Sequence, residues 1–177
     1  MSRRSRATRS FLLSREEDQT WRAFVIGAHL LFDQLDRDLQ RQAGLTHAYL
    51  SILVMLSDQP GHAVRMSQLA SALCYSPSRV SESMRRLEKR GWVRREPSPN
   101  ERRGSLAVLT DAGYAALKAA EVNHLQNVRQ YLFDRLTEEQ IRHLRDISRA
   151  IAPPLLAAAG FTAEHAERAI GDGRLVS

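Results

Sequence analysis

Residues 76–110 read SPSRVSESMRRLEKRGWVRREPSPNERRGSLAVLT. Ser76 is a good N-cap, and Pro77 suits the first helical position, where its missing N–H costs nothing. Gly91 stands where a glycine ends a helix. Between them Val80, Met84 and Leu87 fall within about 60° of one another on a helical wheel. Ser78, Arg79, Glu82, Arg85, Arg86 and Lys89 fall around the opposite side. Trp92 and Val93 lead into a strand, and Leu106 to Leu109 alternate as its return. The Pro97–Gly104 tip between them is too polar to pack and carries Arg102 and Arg103.

Upstream, a short element from about Met66 to Cys74 offers Leu69, Ala70 and Leu73 as an apolar face. Two short helices joined by a tight turn, the second presenting Ser and Arg, form the helix-turn-helix layout. It suits DNA because a helix fits the major groove and arginine bonds bidentately to guanine. An amphipathic surface helix would show the same wheel, and the charged hairpin separates the two readings. Placed directly after such a helix it is a wing, whose Arg102 and Arg103 reach phosphates or the adjacent minor groove. The expected DNA-contacting residues are therefore Ser76, Ser78, Arg79, Glu82, Arg85, Arg86, Lys89, Arg102 and Arg103.

The charge distribution agrees. The 177 residues carry +6, but residues 1–15 hold five arginines without an acid, and residues 76–104 hold nine Lys/Arg against four Glu. The rest of the chain is net acidic. Excess charge confined to one tail and one segment is the footprint of a polyanion partner, here double-stranded DNA. The N-terminal RRSRATRSFLLSR has no periodicity and reads as a flexible arm, open to phosphate contacts or to plain solvation.

Outward from this segment the chain reads as helical. Ser14 and Glu17 have capping-box spacing, and Trp21, Phe24, Val25, Ala28, Leu31, Phe32, Leu35 and Leu39 form a stripe about five turns long. Such a helix needs a partner along its whole length, so an obligate homodimer is expected. Gly44 ends it, Thr46 caps HAYLSILVMLSDQ, and Pro60 and Gly61 break the chain again. Thr110 caps a long helix, and Thr137 with Gln140 opens another, whose Ile141, Leu144, Ile147 and Ile151 align before Pro153 and Pro154 stop it. The tail after that has room for one more short helix.

Other chemistry finds no residues. There is no P-loop, GxGxxG, nucleophile elbow or paired-carboxylate motif, and the six histidines lack metal-site spacing, so no enzyme, cofactor or metal is expected. Glu164, His165 and Glu167 read as a solvated helix face. The single cysteine, Cys74, excludes an intrachain disulfide. FLL is too short for a signal peptide and AYLSILVML too short to span a bilayer, so the chain is read as cytoplasmic, with no membrane partner.

With these residues placed, residues 16–151 resemble the MarR family of bacterial transcription regulators. The resemblance rests on GLT (44–46), SQLASAL (67–73), SPSRVSESMRRLEKRGWVRRE (76–96), NERRGSLAVLTDAG (100–113) and LTEEQ (136–140). It implies a mainly α fold with a small β-hairpin wing, and a homodimer built from the first and last helices on a pseudo-palindromic operator. It also implies a repressor released by a small aromatic or lipophilic effector, with Phe32, Tyr49 and Ile52 placed by position at the pocket. The expected organisation is a basic arm (1–13), a dimerisation helix (14–43) and a winged lobe (44–110), with its recognition helix at about 76–91 and wing at about 92–109. Dimerisation helices (110–160) and a tail (161–177) complete it.

Departures accompany the resemblance. The wing usually carries Asp-x-Arg and here reads Glu101-Arg102-Arg103; Glu82 stands where relatives are often basic, and Arg85 where they are often acidic. Redox-sensing relatives keep a reactive cysteine near the first helix, whereas Cys74 borders the turn and reads as a structural thiol. Two alternatives remain: a thiol-responsive regulator using Cys74, or a basic oligomerisation module binding an acidic protein.

Overall fold

A computed structural model describes residues 12–97 and 104–160. Helix α1 (Arg15–Ala43) opens on the expected capping box: the Glu17 N–H donates to Ser14 Oγ at 3.1 Å, and Glu17 Oε2 accepts from the Ser14 N–H at 2.6 Å. It closes at Gly44, whose φ of 63° is cheap only for glycine and lets the Gly44 and Leu45 N–H groups reach the Gln40 and Leu39 carbonyls. Leu45 is then wholly buried, and Thr46 caps α2 (His47–Ser57) by accepting from the Tyr49 N–H. GLT is thus one complete helix-to-helix turn.

A 3-10 turn (Pro60–His62), with left-handed Gly61 and His62, leads into a strand the sequence reading had passed over, β1 (Ala63–Arg65). Helix α3 (Met66–Ala72), a turn, and α4 (Pro77–Lys89) follow, then the hairpin strands β2 (Val93–Pro97) and β3 (Ser105–Leu109). The sheet order is β1-β3-β2, antiparallel throughout, with Val64 opposite Ala107 and Arg95 opposite the same residue from the other side. β3 is therefore the central strand. The expected alternation gives way to consecutive burial of Ala107, Val108 and Leu109.

The core joins α1 to the winged lobe. Leu39, Leu45, Ile52, Leu53, Leu56, Leu69, Val80, Met84, Leu87, Val93, Leu109 and Leu117 form one buried cluster. α5 (Asp111–Tyr131), capped by Thr110, packs along α1 and α2. Its Tyr131 hydroxyl donates to Asp38 Oδ2 at 2.8 Å. Asp38 is only 1% exposed, and Gln34 and Arg41 also donate to it, so the buried carboxylate is satisfied.

After a second 3-10 turn (Phe133–Arg135), α6 (Glu138–Ala158) begins on the expected Thr137–Gln140 capping box. Its end corrects the sequence reading: Pro153 and Pro154 lie inside the helix, which runs on to Ala158. Proline removes a backbone donor and disfavours the helix interior. Arg149 and Ala150 are exposed, however, so solvent can satisfy the carbonyls left without an intrahelical donor. The 161–177 tail, with the short helix expected there, lies outside the described residues. Among the described residues, no helix is long and apolar enough to cross a membrane.

Candidate nucleic-acid interface

The turn between α3 and α4 is tight. Cys74 takes a left-handed φ of 53°, and the Tyr75 N–H reaches back to the Ala70 carbonyl at 3.0 Å. Ser76 Oγ then accepts from the Arg79 N–H at 3.3 Å and lies 3.1 Å from Ser78 Oγ. The Ser76 hydroxyl thus already serves as the α4 cap, which limits what it can offer a ligand.

From this cap α4 runs with Val80, Met84 and Leu87 buried in the core, and Ser83 buried beside them. Ser78, Arg79, Arg85, Arg86 and Lys89 are exposed, with Glu82 half-buried among them, so the structure brings the expected helix residues together on one face. Arg79 lies 4.0 Å over the Tyr75 ring, a cation–π contact that steers its guanidinium. Tyr75 precedes Arg79 by four residues, but the intervening turn hid the pairing from a helical reading. Glu82 bonds both neighbouring arginines: Arg85 Nη2 at 2.7 Å and Arg86 Nε at 2.8 Å. Arg86 first and Arg85 second hold the Glu82 carboxyl below its ordinary range.

Two further arginines in the basic segment have structural work. Arg90 Nη1 donates to the Gly44 carbonyl at 2.6 Å and its guanidinium lies over Trp92, tying the end of α4 to the α1–α2 turn. Arg95 donates to the Ser81 carbonyl at 3.0 Å and faces Glu88 at 3.4 Å, locking β2 against α4. Arg102 and Arg103, with the rest of the tip, lie outside the described residues. Of the two strands that carry it, β2 begins just after the α4 C-cap Arg90 and is held along α4 through Arg95, and β3 pairs with β2.

Phe32, Tyr49 and Ile52 do not form one open surface. Ile52 is a fully buried core residue, Tyr49 packs on that core and sits against Arg86, and Phe32 is largely exposed on α1. The sequence reading missed a neighbouring pair, His47 on α2 and His124 on α5, with ring centroids 5.6 Å apart. Phe32 meets His47 edge-on, and the Nδ1 atoms of both histidines are buried without a hydrogen-bond partner. Burial pushes the pKa of each below the ordinary histidine value. No local motif marks the pair, which arises only when α5 folds onto α2.

Cys74 is partly buried, and that burial raises its thiol pKa, lowering the fraction of reactive thiolate.

A helix-turn-helix followed by a hairpin whose returning strand also pairs with β1 defines a winged helix-turn-helix protein. Residues 45–105 match the MarR family model. Among solved structures, Sco3205, a MarR family transcriptional regulator from Streptomyces coelicolor in complex with DNA, superposes with a TM-score of 0.79. It is 46% identical, over 81% of this chain and 89% of that one. The transcriptional repressor MprA of Escherichia coli is 27% identical over 147 residues, 80% of this chain and 82% of that protein. PecS, an HTH-type transcriptional regulator of Dickeya dadantii, is 36% identical over 84 residues, which span 48% of this chain and half of PecS. The chain belongs to the MarR family of transcriptional regulators, and it is not an enzyme.

Proposed function

We propose that the chain is a cytoplasmic, sequence-specific DNA-binding repressor that works as a homodimer, placing α4 in the major groove with the hairpin tip against the adjacent backbone. The observation that carries this is the two-sided α4: an apolar face sunk in the core, and an outer face holding Arg79, Arg85, Arg86 and Lys89. The likeness to Sco3205, solved with DNA, supports the same reading.

Homodimerisation is supported by the apolar surface at the two chain ends. Trp21, Phe24 and Ile26 on α1 are at least half exposed, as are Ile147 and Leu155 on α6, and no side chain of α6 is fully buried. Large apolar side chains left exposed along two helices are what a second copy of the chain would cover. A small aromatic or lipophilic effector would bind beside Phe32, which meets His47 edge-on, and His124, which meets His47 in turn, where the Nδ1 atoms of both histidines have no hydrogen-bond partner. The raised thiol pKa weighs against Cys74 as the sensor.

The test is a salt titration of the full chain against duplexes of different sequence. Binding to one sequence at least about a thousandfold tighter than to others, with a steep salt dependence, supports the regulator. Absence of duplex binding at any salt supports instead a basic module for an acidic protein.

A further inference from the structure

Glu82 is an acid in the middle of the face that α4 turns toward DNA, and its bonding pattern is specific. Its Oε2 accepts from Arg85 Nε at 3.0 Å, both of its oxygens lie 2.7 Å from Arg85 Nη2, and Oε1 also accepts from Arg86 Nε at 2.8 Å. The ion pairs remain solvent-accessible, with the Arg85 side chain 56% exposed and that of Glu82 44%. Guanidinium is planar with five N–H donors in a fixed fork. Glu82 takes the side edge of Arg85, formed by Nε and Nη2. Arg85 Nη1 makes no bond to Glu82, so the end edge still sets Nη1 beside Nη2 in the geometry that matches guanine O6 and N7.

The carboxylate also changes what the arginines can bind. A phosphate accepts from arginine but repels the carboxylate beside it, so Glu82 weakens backbone contacts made by Arg85 and Arg86 on any sequence. A G·C pair satisfies both partners, because guanine accepts from arginine while the cytosine N4 amine donates to a carboxylate. Discrimination of this kind combines an attractive match with repulsion of the alternatives.

We propose that Glu82 is a positioning residue that sets sequence specificity: it holds Arg85 for guanine, selects one G·C pair in each half-site, and suppresses binding to DNA lacking that pair. This rests on the reading of α4 as the DNA-contacting helix.

The experiment uses the full-length dimer, its Glu82→Ala variant and its Glu82→Gln variant. Each is titrated over a salt series against the duplex that the wild-type dimer selects from a random library, against that duplex with each G·C pair changed in turn to A·T, and against an unrelated duplex. The wild type should lose about 10-fold or more in affinity when one particular G·C pair is changed. Glu82→Ala should lose less than about threefold there, and should bind the unrelated duplex several-fold tighter. Its log K against log[salt] slope should steepen by about 0.9 for each phosphate the released arginines gain. Glu82→Gln, which cannot repel phosphate, should show the same steepening. A Glu82→Ala dimer that keeps the wild-type G·C preference and unrelated-duplex affinity overturns the proposal. So does one weakened equally on every duplex, which would make Glu82 only a helix stabiliser. Failure of the wild type to bind any duplex is a separate outcome and removes the DNA-binding reading itself.

Discussion

Gly113, in the first turn of α5, has no room for a side chain. A Cβ built there would lie 2.0 Å from the Trp92 carbonyl oxygen and 2.8 Å from Leu109 Cδ1, where ordinary contact begins near 3.4 Å. The carbonyl cannot simply move aside, because it accepts the Thr110 N–H at 3.1 Å, while the Thr110 hydroxyl bonds the Gly91 carbonyl at 2.7 Å. Gly113→Ala must therefore displace the start of α5 from the base of the wing by more than about 1 Å. Overpacking against a fixed backbone group belongs at the upper end of the usual range, about 3 kcal/mol. Alanine's better helix propensity returns about 1 kcal/mol. The net loss of about 2 kcal/mol corresponds to a fall in Tm of about 4–8 °C for a chain of this size. Melting by circular dichroism at matched protein concentration measures it, and operator affinity should fall in parallel because the wing shifts. A Gly113→Ala protein that melts at or above the parent temperature would refute the reasoning.

Ile147→Glu on α6 places a charge in the proposed dimer interface, and truncating or charging a central apolar anchor there should weaken dimerisation by at least about 30-fold, or about 2 kcal/mol; sedimentation equilibrium reads it, and an unaltered dimer would move the interface elsewhere. Arg103→Ala should leave the dimer and its melting unchanged while flattening the operator salt slope by about 0.9 per wing; an unaltered slope and affinity would remove this residue from the contact. For Asp38, the Tyr131 hydrogen bond first, then Gln34 and the charges of Arg41 and Arg37, outweigh burial and hold its carboxyl below the ordinary range. A depressed folded pKa contributes stability that is complete above the unfolded value of about 4 and is lost as pH falls through the folded value. Tyr131→Phe should therefore destabilise the protein at neutral pH and shrink the difference from wild type under acid. Urea melts at pH 7 and pH 3 that differ equally would contradict this.

What could be read from the sequence was whatever local chemistry settles. Ser14 with Glu17, Thr137 with Gln140, and Gly44 mark helix ends through their own hydrogen bonds or backbone conformation, so no tertiary knowledge was needed. The amphipathic α4 was legible for the same reason, since Val80, Met84 and Leu87 are spaced to share one face. β1 was not, because Ala63–Arg65 is too short to show alternation and exists only through its pairing with β3, some forty residues later. Pro153 and Pro154 misled because proline's cost depends on whether solvent can satisfy the exposed backbone, a property of the fold. Glu82 was recognised as part of the DNA face, yet its role as the shared partner of Arg85 and Arg86 emerges from distances. The His47–His124 pair joins residues 77 positions apart and has no local signature.

Selection of bound duplexes from a random library, using the full-length protein at physiological salt, tests the central claim most directly. A dimer presenting two copies of α4 should recover a two-fold symmetric motif whose half-sites lie about 10 bp apart, the spacing of successive major grooves on one side of the duplex. Recovery of no sequence motif, or of a single asymmetric half-site bound by a monomer, would contradict the account.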